Sequence, residues 1–458
     1  MKILFLTNGY PPNRWAGTET YTAGIADELQ KRGHEIQVLC AGTWEEGTSQ
    51  LNGTSDDHFH SVPVRRLNIN WIKAPDPSEY LYKNPVIANY LVNYLQEIKP
   101  DLVHVTSCET LSASVLQAVK DTGIPLVLTL TDFWFLCPRI NLLKSDGTNC
   151  DGMTTPWQCL QCQLLTSKVY LWPKTFLPGK LVSSLLMRIS KYPMMSRRPG
   201  LRGMAGDMQK RKEFLTKAIT WPDVRITASS FVRDIFLTNH VRTPITILTY
   251  GHNLSWLKSY TGKTKSDRLR IGFIGQITHS KGVHLLIEAV NLLNQDYKEN
   301  INLSIFGNIN HSIDYRTKLF ELTRENSNIK FNGTYLHDQS AGIFSELDVL
   351  VVPSLWYDFP LIIYEAFATK TPVITTNLGG MAEAVKHGVN GLLFERGNAD
   401  DLKNQLVQLI DEPFLLNKLR TGISPVMQIQ NHVDKLENIY GDLIHQKVGS
   451  TKFNSKGL

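Results

Sequence analysis

Two successive doubly wound α/β domains are the fold class this sequence predicts, on three observations. Short apolar runs alternate with helix-length stretches of 3.6-residue periodicity over most of the chain. The alternation halts at a polar stretch, Tyr260–Arg268 (YTGKTKSDR), and then restarts. At 458 residues the chain is also too long for one hydrophobic core of ordinary size.

The first domain is assigned to residues 1–255. Lys2–Thr7 reads as a strand, Ala16–Thr18 as a glycine-containing loop and Tyr21–Lys31 as a helix. Arg32-Gly33-His34 stops that helix, and β structure resumes at Glu35–Cys40. Val64–Ile69, Asp101–Thr106, Leu126–Thr131, Val224–Ser229 and Thr246–Tyr250 are further strands, separated by helices such as Pro85–Ile98 and Leu111–Asp121. Crossover helices of this kind make the sheet parallel. In the second domain, residues 269–424, the strands are Ile271–Ile274, Asn302–Phe306, Ile329–Gly333, Asp348–Pro353, Pro372–Thr376 and Leu392–Phe394. A last helix, residues 425–446, is expected to pack back on the first domain. Ligands of such sheets sit outside the carboxyl ends of the strands, so two facing domains predict an interdomain cleft.

Residues 137–217 break the βα rhythm and read as an insertion. Four of the six cysteines fall there, at Cys137, Cys150, Cys159 and Cys162. The Cys159-x-x-Cys162 pair brings two thiolates to one tetrahedral metal, and Cys137 and Cys150 complete the shell. Zinc is preferred to an iron–sulfur cluster, in a structural role, because four thiolates leave no open position. The alternative is a set of reduced, partly buried thiols. Cys40 and Cys108 read as core.

Between Arg188 and Lys217 nine Lys or Arg residues face only Asp207 and Glu213, just after the apolar stretch FLPGKLVSSLLM. Residues 177–217 therefore read as a contact for an anionic membrane surface, with a solvated basic loop as the alternative. No nucleic-acid module accompanies the charge, and no nucleic-acid partner is expected. The net charge of +6 is mild. MKILFLTNGYPPN is too short an apolar run for a signal peptide, and no segment reaches the length of a spanning helix, so a cytoplasmic protein, peripheral on the inner membrane face, is expected.

The segment DVLVVPSLWYDFPLIIYEAFATKTPVITTNLGGMAEAVKHGVNGLLFERGNADD, from Asp348 to Asp401, resembles the donor-binding signature of glycosyltransferase family 4. FIGQITHSKGVHLLIEA, ASSFVRDIF and YPPNRWAGTETYTAGIADELQKRGHEI agree with it in order along the chain. The resemblance implies a GT-B fold of two facing Rossmann-like domains and a retaining hexosyl transfer. The donor would be a UDP- or GDP-linked sugar, and the acceptor a glycan, a lipid-linked molecule or another hydroxyl compound. Cell-surface polysaccharide or glycolipid synthesis is the expected setting. A GT-B protein that binds a sugar nucleotide or a partner without transfer is the alternative reading.

The residues around that signature fit its chemistry. Where a strand ends at Val352-Pro353 and a helix starts near Leu361, the free N–H groups of Leu361 and Ile362 suit a diphosphate. Glu365 resembles the family's ribose-binding glutamate, and Lys281 its diphosphate-binding lysine. A cation is needed there because the leaving nucleoside diphosphate gains charge in the transition state, and the resemblance implies no catalytic metal. Gly379 and Gly380 permit close backbone approach to the donor, and Glu383 either contacts it or only favours the helix N-terminus. Gly17 would present N–H groups to the phosphates from the first domain, while Glu19 is an acceptor-side or a structural carboxylate.

Three positions depart from the family pattern. Tyr357 stands eight residues before Glu365, where the family has a second glutamate; Asp358, seven before, either takes over its sugar contact or caps the helix. Gln276 replaces the arginine of the first strand-end loop, so it can bond phosphate without neutralising it. Thr131-Asp132 replaces a His-Asp pair, leaving Asp132 as the contact to acceptor or donor sugar. Asp132, Lys281, Asp358 and Glu365 are thus the expected catalytic residues. His104, ending a buried strand, reads as a satisfied core histidine.

Overall fold

The computed structural model describes residues 1–454 except 43–46, 166–177, 191, 193, 195–197, 199–204 and 357–359. The chain divides into two compact units, Met1–Gly251 with Ile429–Leu458, and His252–Gln428.

In the first unit eight strands form one sheet. They are β1 (Lys2–Thr7), β2 (Glu35–Ala41), β3 (Leu51–Phe59), β4 (Val62–Ile69), β5 (Leu102–Val105), β6 (Leu126–Leu130), β7 (Val224–Thr227) and β8 (Thr246–Ile247). Their order is β3-β4-β2-β1-β5-β6-β7-β8, parallel throughout except that β3 pairs antiparallel with β4. Every residue of β5 and β6 is buried, as befits strands covered on both faces. Helices are started by side chains that satisfy free N–H groups: Asn84 accepts from Val86 and Ile87 ahead of Pro85–Ile98, and Asp207 accepts from Gln209 and Lys210 ahead of Met208–Ala218. The expected Ala16–Thr18 loop is shorter than the sequence indicates. Gly17 already opens the first helix, Gly17–Lys31, which no side chain caps.

The last helix, Ile429–Asn454, belongs to this first unit. The ring of its His432 bonds the Tyr21 hydroxyl at 3.0 Å, and its Tyr440 hydroxyl bonds His104 at 2.6 Å. Arg32 grips the same helix through Asp434 and Glu437.

The second unit contains β9 (Leu269–Ile274), β10 (Ile301–Phe306), β11 (Ile329–Gly333), β12 (Val349–Val352), β13 (Val373–Thr376) and β14 (Gly391–Phe394). All are parallel, in the order β11-β10-β9-β12-β13-β14. The period of two sorts β12 cleanly: Val349 and Val351 join the core on one face, Leu350 and Val352 the core on the other. This unit begins at His252, so Tyr260–Arg268 is part of it rather than a free linker. Half-buried Lys263 fixes that stretch by donating to the carbonyls of Phe344 and Leu347.

In each sheet the strand order reverses once, between β1 and β5 and between β9 and β12. The crevice outside the carboxyl ends of those strands is where such sheets take ligands.

Candidate functional site

In the second unit the sequence-predicted donor residues follow three neighbouring strands. Gln276 and Lys281 lie on the loop after β9, Leu361, Ile362 and Glu365 on the helix after β12, and Gly379, Gly380 and Glu383 on the helix after β13. The first two loops lock together. The Leu355 N–H donates to the Ser280 carbonyl at 2.8 Å, and Gly282 turns with φ +71°. A Cβ on Gly282 would lie 1.9 Å from the Pro353 carbonyl oxygen, so the turn admits only glycine. Lys281 is thereby half-buried with its ammonium 5.5 Å from the centre of the Trp356 ring. Gln276 is exposed.

Helix Leu361–Ala368 begins at Pro360 and Gly379–Ala384 at Leu378, and among the described residues no side chain caps either. Their first N–H groups remain available to an anion. Gly379 has φ +53°, the left-handed region that glycine adopts without strain.

Glu365 sits one turn into its helix. Its Oε2 is buried and has no hydrogen-bond partner among the described residues, and burial pushes its carboxyl up from 4.5 to about 7. A carboxyl held that way has capacity to accept hydrogen bonds from a ligand. Its neighbour Tyr364 stacks on His252 at 4.7 Å, and Glu383 is near enough to act on the Tyr364 hydroxyl. Asp358 falls outside the described residues. The sequence reading missed Trp356, and also Arg396, whose Nε donates to the Leu355 carbonyl at 2.6 Å.

In the first unit the carboxyl ends of β1, β5 and β6 gather a set of polar groups. Asn8 donates to Glu109 at 2.9 Å, and Arg14 contacts Glu19 at 2.9 Å and Glu109 at 3.4 Å. Glu19 is 1% exposed, and burial raises its carboxyl above the usual range despite Arg14. Asp132 accepts from the Trp134 N–H at 2.8 Å. Burial pushes its carboxyl up to about 7, with Glu109 and Glu19 adding to the rise. A carboxyl titrating near neutrality can take or give a proton in catalysis.

Gly17 is exposed, and nothing lies within 4 Å of where its Cβ would be, so the space before the helix N-terminus is open. Thr18 bonds Thr131 across 3.0 Å. His104 stands apart from this group, both ring nitrogens occupied by Tyr440 and Thr129, and burial lowers its pKa to about 3. Asn8, Arg14 and Glu109 were not picked out from the sequence; a polar residue directly after a fully buried strand was the signal for Asn8.

The insertion supplies three helices among its described residues: Pro156–Leu164, Gly179–Ser190 and Met208–Ala218. Cys137, Cys150, Cys159 and Cys162 all line one cavity and are unpaired. Among the described residues no three His, Cys, Asp or Glu side chains are drawn close enough to hold a metal ion. On Gly179–Ser190, Leu181 and Leu185 are exposed one turn apart, while Val182 is buried. Among the described residues no helix is long and apolar enough to cross a membrane.

Residues 16–145 match the glycosyl transferase 4-like domain, and residues 260–424 match the glycosyl transferases group 1. An uncharacterized glycosyltransferase of Methanocaldococcus jannaschii is 33% identical over 147 residues, which cover 32% of this chain and 40% of that protein. The UDP-Gal:alpha-D-GlcNAc-diphosphoundecaprenol alpha-1,3-galactosyltransferase of Escherichia coli is 35% identical over 108 residues, covering 23% and 28%. The chain spans half or less of the length of the curated relatives it matches. Among solved structures, Anabaena HepE in complex with UDP superposes with a TM-score of 0.64 at 16% identity, covering 96% of this chain and 100% of that one. The chain thus has the GT-B fold, with a match to the glycosyl transferase 4-like domain in its first half and to the glycosyl transferases group 1 in its second.

Proposed function

We propose that the chain is a retaining glycosyltransferase that moves a hexosyl group from a UDP- or GDP-linked sugar to a hydroxyl acceptor. The observation that carries this reading is the placement of Lys281 and Glu365 just after the two strands where the second sheet reverses its order, beside two helix N-termini that no described side chain caps. Lys281 and those N–H groups neutralise the charge that grows on the leaving diphosphate. Glu365 accepts the ribose hydroxyls, and Gly379-Gly380 let the backbone approach the donor. Asp132, with a carboxyl near neutrality, contacts the acceptor or the transferred sugar. Asp358 is assigned a sugar contact. No catalytic metal enters this scheme, because protein groups supply the positive charge.

A glycan or lipid-linked acceptor suits the reading, since the E. coli relative is named for a diphosphoundecaprenol substrate. The exposed Leu181 and Leu185, beside Arg188 and the basic stretch that follows in sequence, support docking on an anionic membrane face. This fits cell-surface polysaccharide or glycolipid synthesis.

Release of free nucleoside diphosphate from a panel of UDP- and GDP-sugars tests the proposal, with membrane-lipid extract as acceptor and NMR of the product for its anomeric configuration. Acceptor-dependent release with retention is expected. Nucleotide binding without release in any combination would leave the non-catalytic alternative standing.

A further inference from the structure

We propose that the cavity lined by Cys137, Cys150, Cys159 and Cys162 takes up one zinc ion on four thiolates, which fixes the segment carrying Asp132. Chain geometry brings the four cysteines to this cavity from two directions. Cys159 and Cys162 are three apart on helix Pro156–Leu164 and share a face. A reversal of the chain returns Cys150 towards Cys137: the Cys150 N–H donates to the Leu142 carbonyl at 2.7 Å, and Leu143 bridges Asn149.

The sulfurs are already provided with donors. The Gly152 N–H points at the Cys150 sulfur at 3.4 Å. The Thr154 hydroxyl is 2.9 Å from the Cys159 sulfur. Backbone donors to sulfur orient a thiolate ligand and stabilise its charge. Gly152 makes its turn with φ +81°, and a Cβ there would meet the Asn239 side chain at 2.6 Å, so the turn that aims this N–H requires glycine.

Charge balance points the same way. Arg211 is 8% exposed, and its guanidinium donates to the Trp134 carbonyl without a carboxylate partner among the described residues. Arg211 and Cys159 line one pocket beside the four-cysteine cavity. Arg139 lines the four-cysteine cavity itself, with its Nε buried and unbonded among the described residues. Four neutral thiols leave these cations uncompensated at depth, which is costly. Zinc with four thiolates carries a net double negative charge and compensates them. Binding releases four thiol protons to solvent and forms four zinc–sulfur bonds of about 2.3 Å, so the sulfurs that now ring the cavity move inward upon it. The Phe133 N–H bonds the Ile140 carbonyl within this loop, and Asp132 precedes it directly.

The test uses full-length protein purified anaerobically without chelator, so that its outcome does not depend on transfer activity. Elemental analysis is expected to find one zinc per chain. Exchange with cobalt(II) should give the intense sulfur-to-metal absorption of a four-thiolate site. Cys159→Ser with Cys162→Ser should lose the metal, while Cys150→His, which offers another zinc ligand, should keep it; that variant separates loss of a ligand from loss of fold. Metal-free folded protein with Cys137, Cys150, Cys159 and Cys162 open to alkylation overturns the proposal. So does iron with sulfide in place of zinc, or zinc that survives the double serine variant.

Discussion

Replacing Glu365 by glutamine keeps the shape of the side chain and removes its charge, and the two consequences separate. Burial raises the carboxyl from 4.5 to about 7. The native state therefore holds this proton more tightly than the unfolded chain does. The stabilising effect of protonation is complete below about pH 4.5 and is lost as pH rises towards about 7. A shift of that size corresponds to about 3 kcal/mol. Glutamine does not ionise, so the variant should be more stable than wild type at pH 8 by up to about 3 kcal/mol and no more stable at pH 4.5. Transfer should move the other way. A carboxylate bonded to ribose hydroxyls contributes about 1.5–3 kcal/mol, so turnover should fall about 10- to 150-fold. Urea denaturation at the two pH values, with nucleotide release as the activity assay, measures both. Equal stability at pH 8 together with wild-type transfer would refute the reasoning.

Lys281→Ala should lower turnover at least about tenfold while leaving the urea midpoint nearly unchanged, as measured by nucleotide release and denaturation. Gly282→Ala forces a Cβ into the Pro353 carbonyl oxygen and should destabilise the chain by about 1–3 kcal/mol while weakening nucleotide affinity, read by thermal shift with and without UDP or GDP. Tyr440→Phe leaves the buried His104 nitrogen without its partner and should cost about 1–3 kcal/mol in chemical denaturation. Leu181→Ser with Leu185→Ser should abolish sedimentation with anionic vesicles, a binding expected to weaken with salt and to be small on neutral vesicles. Unchanged sedimentation of that double variant would exclude this helix as the contact.

Most strands were legible because they are covered on both faces and therefore read as unbroken apolar runs, as in β5 and β6. β3 was not. Its residues, LNGTSDDHF, are largely exposed on an antiparallel edge and are tied to β4 by ion pairs, Asp56 to Arg65 and Asp57 to Arg66, rather than by apolar packing. The unit boundary was misplaced for a similar reason. Tyr260–Arg268 looks like a linker by composition, yet Lys263 is held by three acceptors, the carbonyls of Phe344 and Leu347 and the Thr371 hydroxyl, from segments over 80 residues away.

The residues proposed to bind the donor stood out in the sequence since they occupy one contiguous motif and one short loop. The polar group of Asn8, Arg14, Glu19, Glu109 and Asp132 was not, because only the topology of β1, β5 and β6 brings residues that distant together.

A crystal structure with bound UDP or GDP tests the central claim most directly, namely that the carboxyl ends of β9, β12 and β13 hold the donor. The diphosphate is predicted against Lys281 and the N–H groups of Leu361, Ile362, Gly379 and Gly380, with both ribose hydroxyls on Glu365. A nucleotide found with its diphosphate away from Lys281 and its ribose away from Glu365 would contradict the account.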